Sequence, residues 1–272
     1  MNANTIWAIA MLVIKELCRR KDIYVLFILT TVITLGFGAV NFFNEDKIVR
    51  YLKEICLALI WLSSIVIAVM TAARQIPDEL ERKTIFPLLA KPVSRADVVV
   101  GKYLGSWLAC GIALMVFYLF FGIVSASREF SPSSEPAVSF VGWTLSCFQA
   151  MTMHWFMLSV LIAMTMLGSL VFVAVSSNAT IMFITSAGIL TILRHLNTVA
   201  LQQPEPLQTV FYVVYFALPH LEFYDMRDLI VHSWPPISFG VILLAALYAA
   251  FYTIFFLFAA SQMFKRKTIG EP

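Results

Sequence analysis

In the stretch "LPHLEFYDMRD", residues 218–228, stand His220, Glu222, Asp225, Arg227 and Asp228. An imidazole among carboxylates offers the donor types that hold a metal or take part in catalysis. The wider pattern is poor for either. No HExxH occurs, and the aspartates lack the flanking glycines that a lipid head-group transferase would carry. The expectation is therefore no metal and no catalytic residue. Instead, 204–235 is read as an external, partly re-entrant segment, with Phe223 and Tyr224 at the head-group level.

Two further polar features fall in apolar surroundings. His154 lies inside a long uncharged run with Gln149 nearby. A polar group in a membrane span raises the question of function, but a helix–helix hydrogen bond is favoured over a haem ligand, since nothing brings His195, His220 or His232 to it as a paired axial ligand. The four cysteines, Cys18, Cys56, Cys110 and Cys147, form no C-x-x-C pair and imply neither a disulfide framework nor a zinc site.

The elements that carry these residues follow from composition. The chain has 272 residues, of which 60% are hydrophobic and only 13% charged. A soluble domain has about 25% charged residues, so an all-α integral membrane protein is expected. A span needs about 20 apolar residues to cross a core about 30 Å thick. Six segments qualify: 23–44, 55–73, 103–124, 151–175, 179–196 and 237–264. The fourth and fifth come from one uncharged run, 136–193, which as a single helix would reach about 87 Å. "SSNAT" at 176–180 is the expected turn, because Ser and Asn compete for nearby backbone groups. Gly36, Gly38, Gly168 and Ser169 would allow close helix contact.

An even span number puts both termini on one side. Thirteen Lys and Arg fall in the N-terminal segment, the 74–102 stretch and the C-terminal end, against six elsewhere. Positive charge collects in the cytoplasm, so those segments are expected there. The apolar run 6–14 is too short to span and is followed by Lys15, Glu16, Arg19 and Arg20. It is not a usual signal peptide. Residues 4–21 are expected to form an interfacial helix on the cytoplasmic leaflet.

The remaining anomaly is "DELERKTIFPLLAKPVSRADVVVGKYLG", residues 78–105, with nine charged residues in an otherwise apolar chain. Burying them in lipid would cost about 20–30 kcal/mol, so much of the segment is wet. Pro77 suits a first helical turn and Asp78, Glu79 and Glu81 favour a helix N-terminus. Thr84 can cap a short helix through Leu88 and Leu89, although Pro87 biases Phe86 away from helical angles. Pro92 ends it, and Ser94 with Asp97 reads as a capping box that launches the third span. Read physically, this is either a plain capped connector or a docking element at the membrane surface.

This segment resembles the signature of ATP-binding-cassette transporter permeases of the type-2 exporter family: an acidic pair, a Thr, Leu-Leu, Pro-x-Ser-Arg and Gly-Lys in that order. The resemblance implies that 75–102 carries a cytoplasmic coupling helix between spans two and three, seated in a groove of an ATPase subunit. Glu79, Glu81 and Arg82 would be its polar contacts, Thr84, Leu88 and Leu89 its body, and Pro92, Ser94 and Arg95 its exit. Pro87 inside the helix and Lys83 depart from the family pattern. The chain has no G-x-x-x-x-G-K-[ST] loop, and Gly101-Lys102 reads as a chance dipeptide. ATP and Mg would be held by separate ATPase subunits, with no cofactor in this chain. A second permease copy, as homodimer or heterodimer, and the lipid bilayer complete the expected partners, with no nucleic acid. His220, Glu222, Asp225 and Arg227 would belong to an external lid over the path. A bacterial inner membrane is the expected location, and the absence of a charged span face leans toward a lipidic or amphiphilic substrate. A membrane scaffold or assembly factor without a transport cycle is the alternative, followed by a membrane enzyme using 218–228.

Overall fold

The computed structural model describes residues 3–19, 24, 28, 30–33, 36, 46–81, 94–130, 139–172 and 174–266. Among these the chain is helical without strands: α1 (Ala3–Cys18), α2 (Asp46–Arg74), α3 (Pro77–Glu81), α4 (Arg95–Glu129), α5 (Phe140–Val171), α6 (Val175–Leu201), α7 (Leu207–Ala217), a 3-10 turn (Leu221–Tyr224), α8 (Arg227–Val231) and α9 (Phe239–Arg266). Five helical stretches among the described residues are long and apolar enough to cross a membrane. They correspond to the second through sixth expected spans. The first, 23–44, lies mostly outside the described residues. Its described part includes helical Thr30, whose hydroxyl meets that of Ser63 on α2 at 2.8 Å.

Helix α5 is the hub, packed against α9, α2, α4 and α6. It carries no Asp, Glu, Lys or Arg and is apolar all round, as a helix enclosed by others should be. Its polar side chains are accommodated locally: Ser159, Thr165 and Ser169 donate to carbonyls one turn back. Between α4 and α5, Trp107 and Trp155 stack at 4.4 Å, and each indole N–H donates to the other's backbone carbonyl at 3.2 Å. Gly111 makes this possible, since a Cβ there would stand 2.5 Å from Trp155 Nε1.

Helix α5 ends at Val171 and α6 runs from Val175, so 176–180, the expected turn, lies inside a helix. The reason is tertiary. Asn178 enters the first turns of α6 fully buried, donates from its amide to Thr165 O at 3.2 Å, and rests against Gly168. Its hydrogen-bonding capacity joins two helices instead of shaping a turn.

Helix α1 has one face packed on protein and one face open. Ile6, Ile9, Ala10, Val13 and Leu17 are buried, while Trp7, Met11 and Leu12 are exposed beside Lys15, Glu16 and Arg19. It lies across the first turns of α4, where Gly101 and Gly105 permit the approach. A Cβ at Gly105 would come within 2.7 Å of Ala10 O. An N-terminal helix with one face on protein and one apolar face open suits the head-group boundary.

Candidate functional site

Two charged regions were singled out by sequence, and the structure treats them differently. The first is the pair of stems that frame the polar segment. Pro77 opens α3, with Asp78 and Glu79 in its first turn. Residues 82–93 lie outside the described set, so Arg82, Thr84, Leu88, Leu89 and Pro92 do too. Glu79, Glu81, Ser94 and Arg95 are described. Ser94 caps α4 as expected, its hydroxyl accepting from Asp97 N–H at 3.1 Å. Glu81 is exposed.

Glu79 and Arg95 have partners within the chain. Glu79 Oε1 lies 2.8 Å from Lys102 Nζ, which also donates to Gln75 O. Lys102 is only 2% exposed. The end of α2 and the short α3 are thereby tied to the second turn of α4. Arg95 donates to Phe264 O at 2.8 Å and Lys265 O at 3.2 Å, and its guanidinium lies 5.6 Å from the Phe264 ring centre. These carbonyls sit at the C-terminal end of α9, where a cation is electrostatically favoured. One helix start thus fastens the ends of two other spans, with α1 laid over it. Lys102, taken from the sequence as part of a chance dipeptide, is the central anchor of this junction.

The second region is 218–228. Here the charges close into two separate pairs. His220 Nδ1 meets Glu222 Oε1 at 3.0 Å. Arg227 binds Asp225 through a fork, Nε to Oδ1 and a terminal nitrogen to Oδ2, both 2.8 Å. That fork pushes the guanidinium pKa still further up, against the effect of burial, so Arg227 stays charged. Its cation also lies 4.9 Å from the Trp61 ring centre on α2. Among the described residues no three His, Cys, Asp or Glu side chains converge as a metal site.

The segment is fastened to the bundle by its backbone and aromatic rings. His220 N–H donates to Tyr248 Oη at 3.0 Å, and Tyr224 O–H to Ala245 O at 2.9 Å, both partners being on α9. His220 stacks on Phe223 at 5.0 Å. Phe223 is exposed, whereas Tyr224 is only 1% exposed, so the two neighbouring rings face opposite ways. Tyr224 turns inward because its hydroxyl finds a carbonyl there. The four residues His220, Glu222, Asp225 and Arg227 therefore form a folded cap on α2, α5 and α9 rather than a single reactive constellation.

His154 is 1% exposed, and its Nε2 meets Ser64 Oγ at 2.7 Å, an α5–α2 bridge. Gln149 pairs instead with the backbone of Ile237, accepting its N–H and donating to its C=O at 2.8 Å each. Sequence spacing alone did not separate these partners.

Residues 30–260 match the family model described as ABC-2 family transporter protein. No curated protein matches the chain significantly. The matched stretch takes in the polar segment with both its stems and the whole of the 218–228 cap. Proteins of this family are transmembrane subunits that are not themselves the ATPase and normally work with ABC ATPase subunits. The chain belongs to the ABC-2 family of transporter permeases, and is a multi-pass membrane component of an ABC transporter.

Proposed function

We propose that this chain is the permease of an exporter, paired with a second permease copy, and that segment 75–102 couples it to ATP hydrolysis in partner subunits. The observation that carries the reading is the junction at the segment's two stems. Lys102 holds Gln75 and Glu79 on one side, and Arg95 holds the end of α9 on the other. A push on the segment would then be delivered to three spans at once. In this reading six spans place both termini in the cytoplasm, the partner subunits hold ATP and Mg, and exposed Glu81 with Arg82 meets the ATPase.

The far side carries the cap. Helix α7 and the 218–231 stretch, with His220, Glu222, Asp225 and Arg227, would cover the outer end of the path. Lifting the cap need not break either ion pair, because both lie within it. The substrate is proposed to be lipidic or amphiphilic, and the membrane to be a bacterial inner membrane.

The test is Glu81→Arg with Arg82→Glu in the permease co-expressed with the ATPase encoded beside it. The expected result is loss of ATPase co-purification, or ATPase activity uncoupled from transport, with an unchanged melting temperature. Normal assembly and full transport would remove these residues from the interface.

A further inference from the structure

Buried ionic groups in a membrane protein need a reason, and one pair has no place in the account so far. Lys53 on α2 binds Glu129 at the end of α4, with side chains 7% and 11% exposed. A second pair between the same two helical arms joins buried Lys102 to half-buried Glu79, and its polarity is crossed: α2 carries the Lys of one pair, while α3, its continuation, carries the Glu of the other. Lys53 and Glu79 are 26 positions apart, and Lys102 and Glu129 are 27 positions apart. At 1.5 Å per residue both arms measure about 40 Å between the pairs, close to the thickness of a bilayer with its head groups, about 40–45 Å.

We infer that α2 with α3, and α4, form a lever clamped at both membrane surfaces, with Lys53 and Glu129 positioning its outer end against the 218–231 cap. The near-equal arms hold the two helices in one antiparallel register. A slip by a turn would separate both pairs and take buried Lys53 and Lys102 out of reach of these carboxylates, at a cost larger than for surface pairs. The outer end of the lever touches the cap at two depths. Arg227 lies over Trp61, and Arg50 meets His232 just beyond α8. Helix α8 packs directly on α2. A displacement of the 75–102 stems would therefore arrive at the cap without being lost in sliding between the two spans. The inference rests on the transporter reading for the origin of that motion, but the clamp itself does not.

The test places spin labels at exposed Trp7 on α1 and Phe223 on the cap, with Cys18 replaced by Ser. In the permease alone, the label distance should be narrowly distributed in the parent, broadened in Lys53→Met, and narrow again in the swap Lys53→Glu with Glu129→Lys. Lys53→Met with Glu129→Leu removes both charges, so a folded protein without the clamp is available if the single variant is unstable. In the complex with its ATPase, a non-hydrolysable ATP analogue should shift the distance in the parent and the swap, and shift it much less in the variants lacking the pair. Equal widths and equal nucleotide shifts in all variants would overturn the clamp. An ATPase that does not associate would sink the transporter reading instead, leaving the permease-alone widths to decide for or against the clamp.

Discussion

The junction at the start of α4 and the 218–228 cap both gather charged side chains in an apolar chain, yet their bonds run over very different distances in sequence. At the junction, Lys102 reaches back 27 residues to Gln75, and Arg95 reaches forward 169 to Phe264. In the cap, His220 with Glu222 and Asp225 with Arg227 are each two residues apart. Bonds of the first kind fix one span relative to another. Those of the second kind neutralise a loop so that it can pack on the bundle. Charge alone does not separate the two regions, but the reach of these bonds does.

That contrast can be broken first at its strongest point. Lys102→Met should cost about 1–3 kcal/mol, because it removes the buried ammonium that holds Glu79 and the Gln75 carbonyl. Denaturation of the purified protein in detergent reads this, and adding Glu79→Gln should recover part of the loss. A change below the error of the measurement would deny the junction its anchor.

Next comes the seat of α1. Gly105→Leu should displace α1 from α4 at a cost of about 1–3 kcal/mol, seen as faster proteolysis near Cys18 while the spans stay folded. The cap should respond more mildly and with a different signature. Arg227→Met should cost about 1–3 kcal/mol by leaving Asp225 without its fork, whereas Arg227→Met with Asp225→Asn should be close to neutral. If the double variant is as unstable as the single one, the pair does more than neutralise its own loop. Arg95→Ala is expected to be the smallest, about 0.5–1 kcal/mol from the lost C-terminal contact to α9. Its sharper readout is increased hydrogen exchange in the last turn of α9.

Much of this organisation is legible in the sequence, for physical reasons that also mark its limits. The lengths of the apolar runs are local quantities, so five long apolar helices overlap the second to sixth expected spans. The Ser94 cap is equally local, needing only the residue three positions on. Asn178 misleads because its amide is used across a helix pair beside Gly168. Lys102 is not legible as an anchor, because a lysine near a membrane surface is ordinarily exposed and here tertiary packing buries it. The equal 26- and 27-residue spacings of opposite charges were present all along, but they carry meaning only once those two helices are known to be neighbours. Tyr224 shows the same dependence: its neighbour Phe223 faces out, and nothing local says which ring finds a carbonyl.

The central claim is that segment 75–102 is the handle for a separate ATPase, while the 218–228 cap is not. The most direct measurement places a photo-crosslinking side chain at Leu88 and, in a second variant, at Phe223, in the permease co-expressed with its neighbouring ATPase. The account predicts that the Leu88 probe captures a Walker-motif ATPase and that the Phe223 probe captures none. No ATPase adduct from Leu88, or equal capture from both positions, would contradict it.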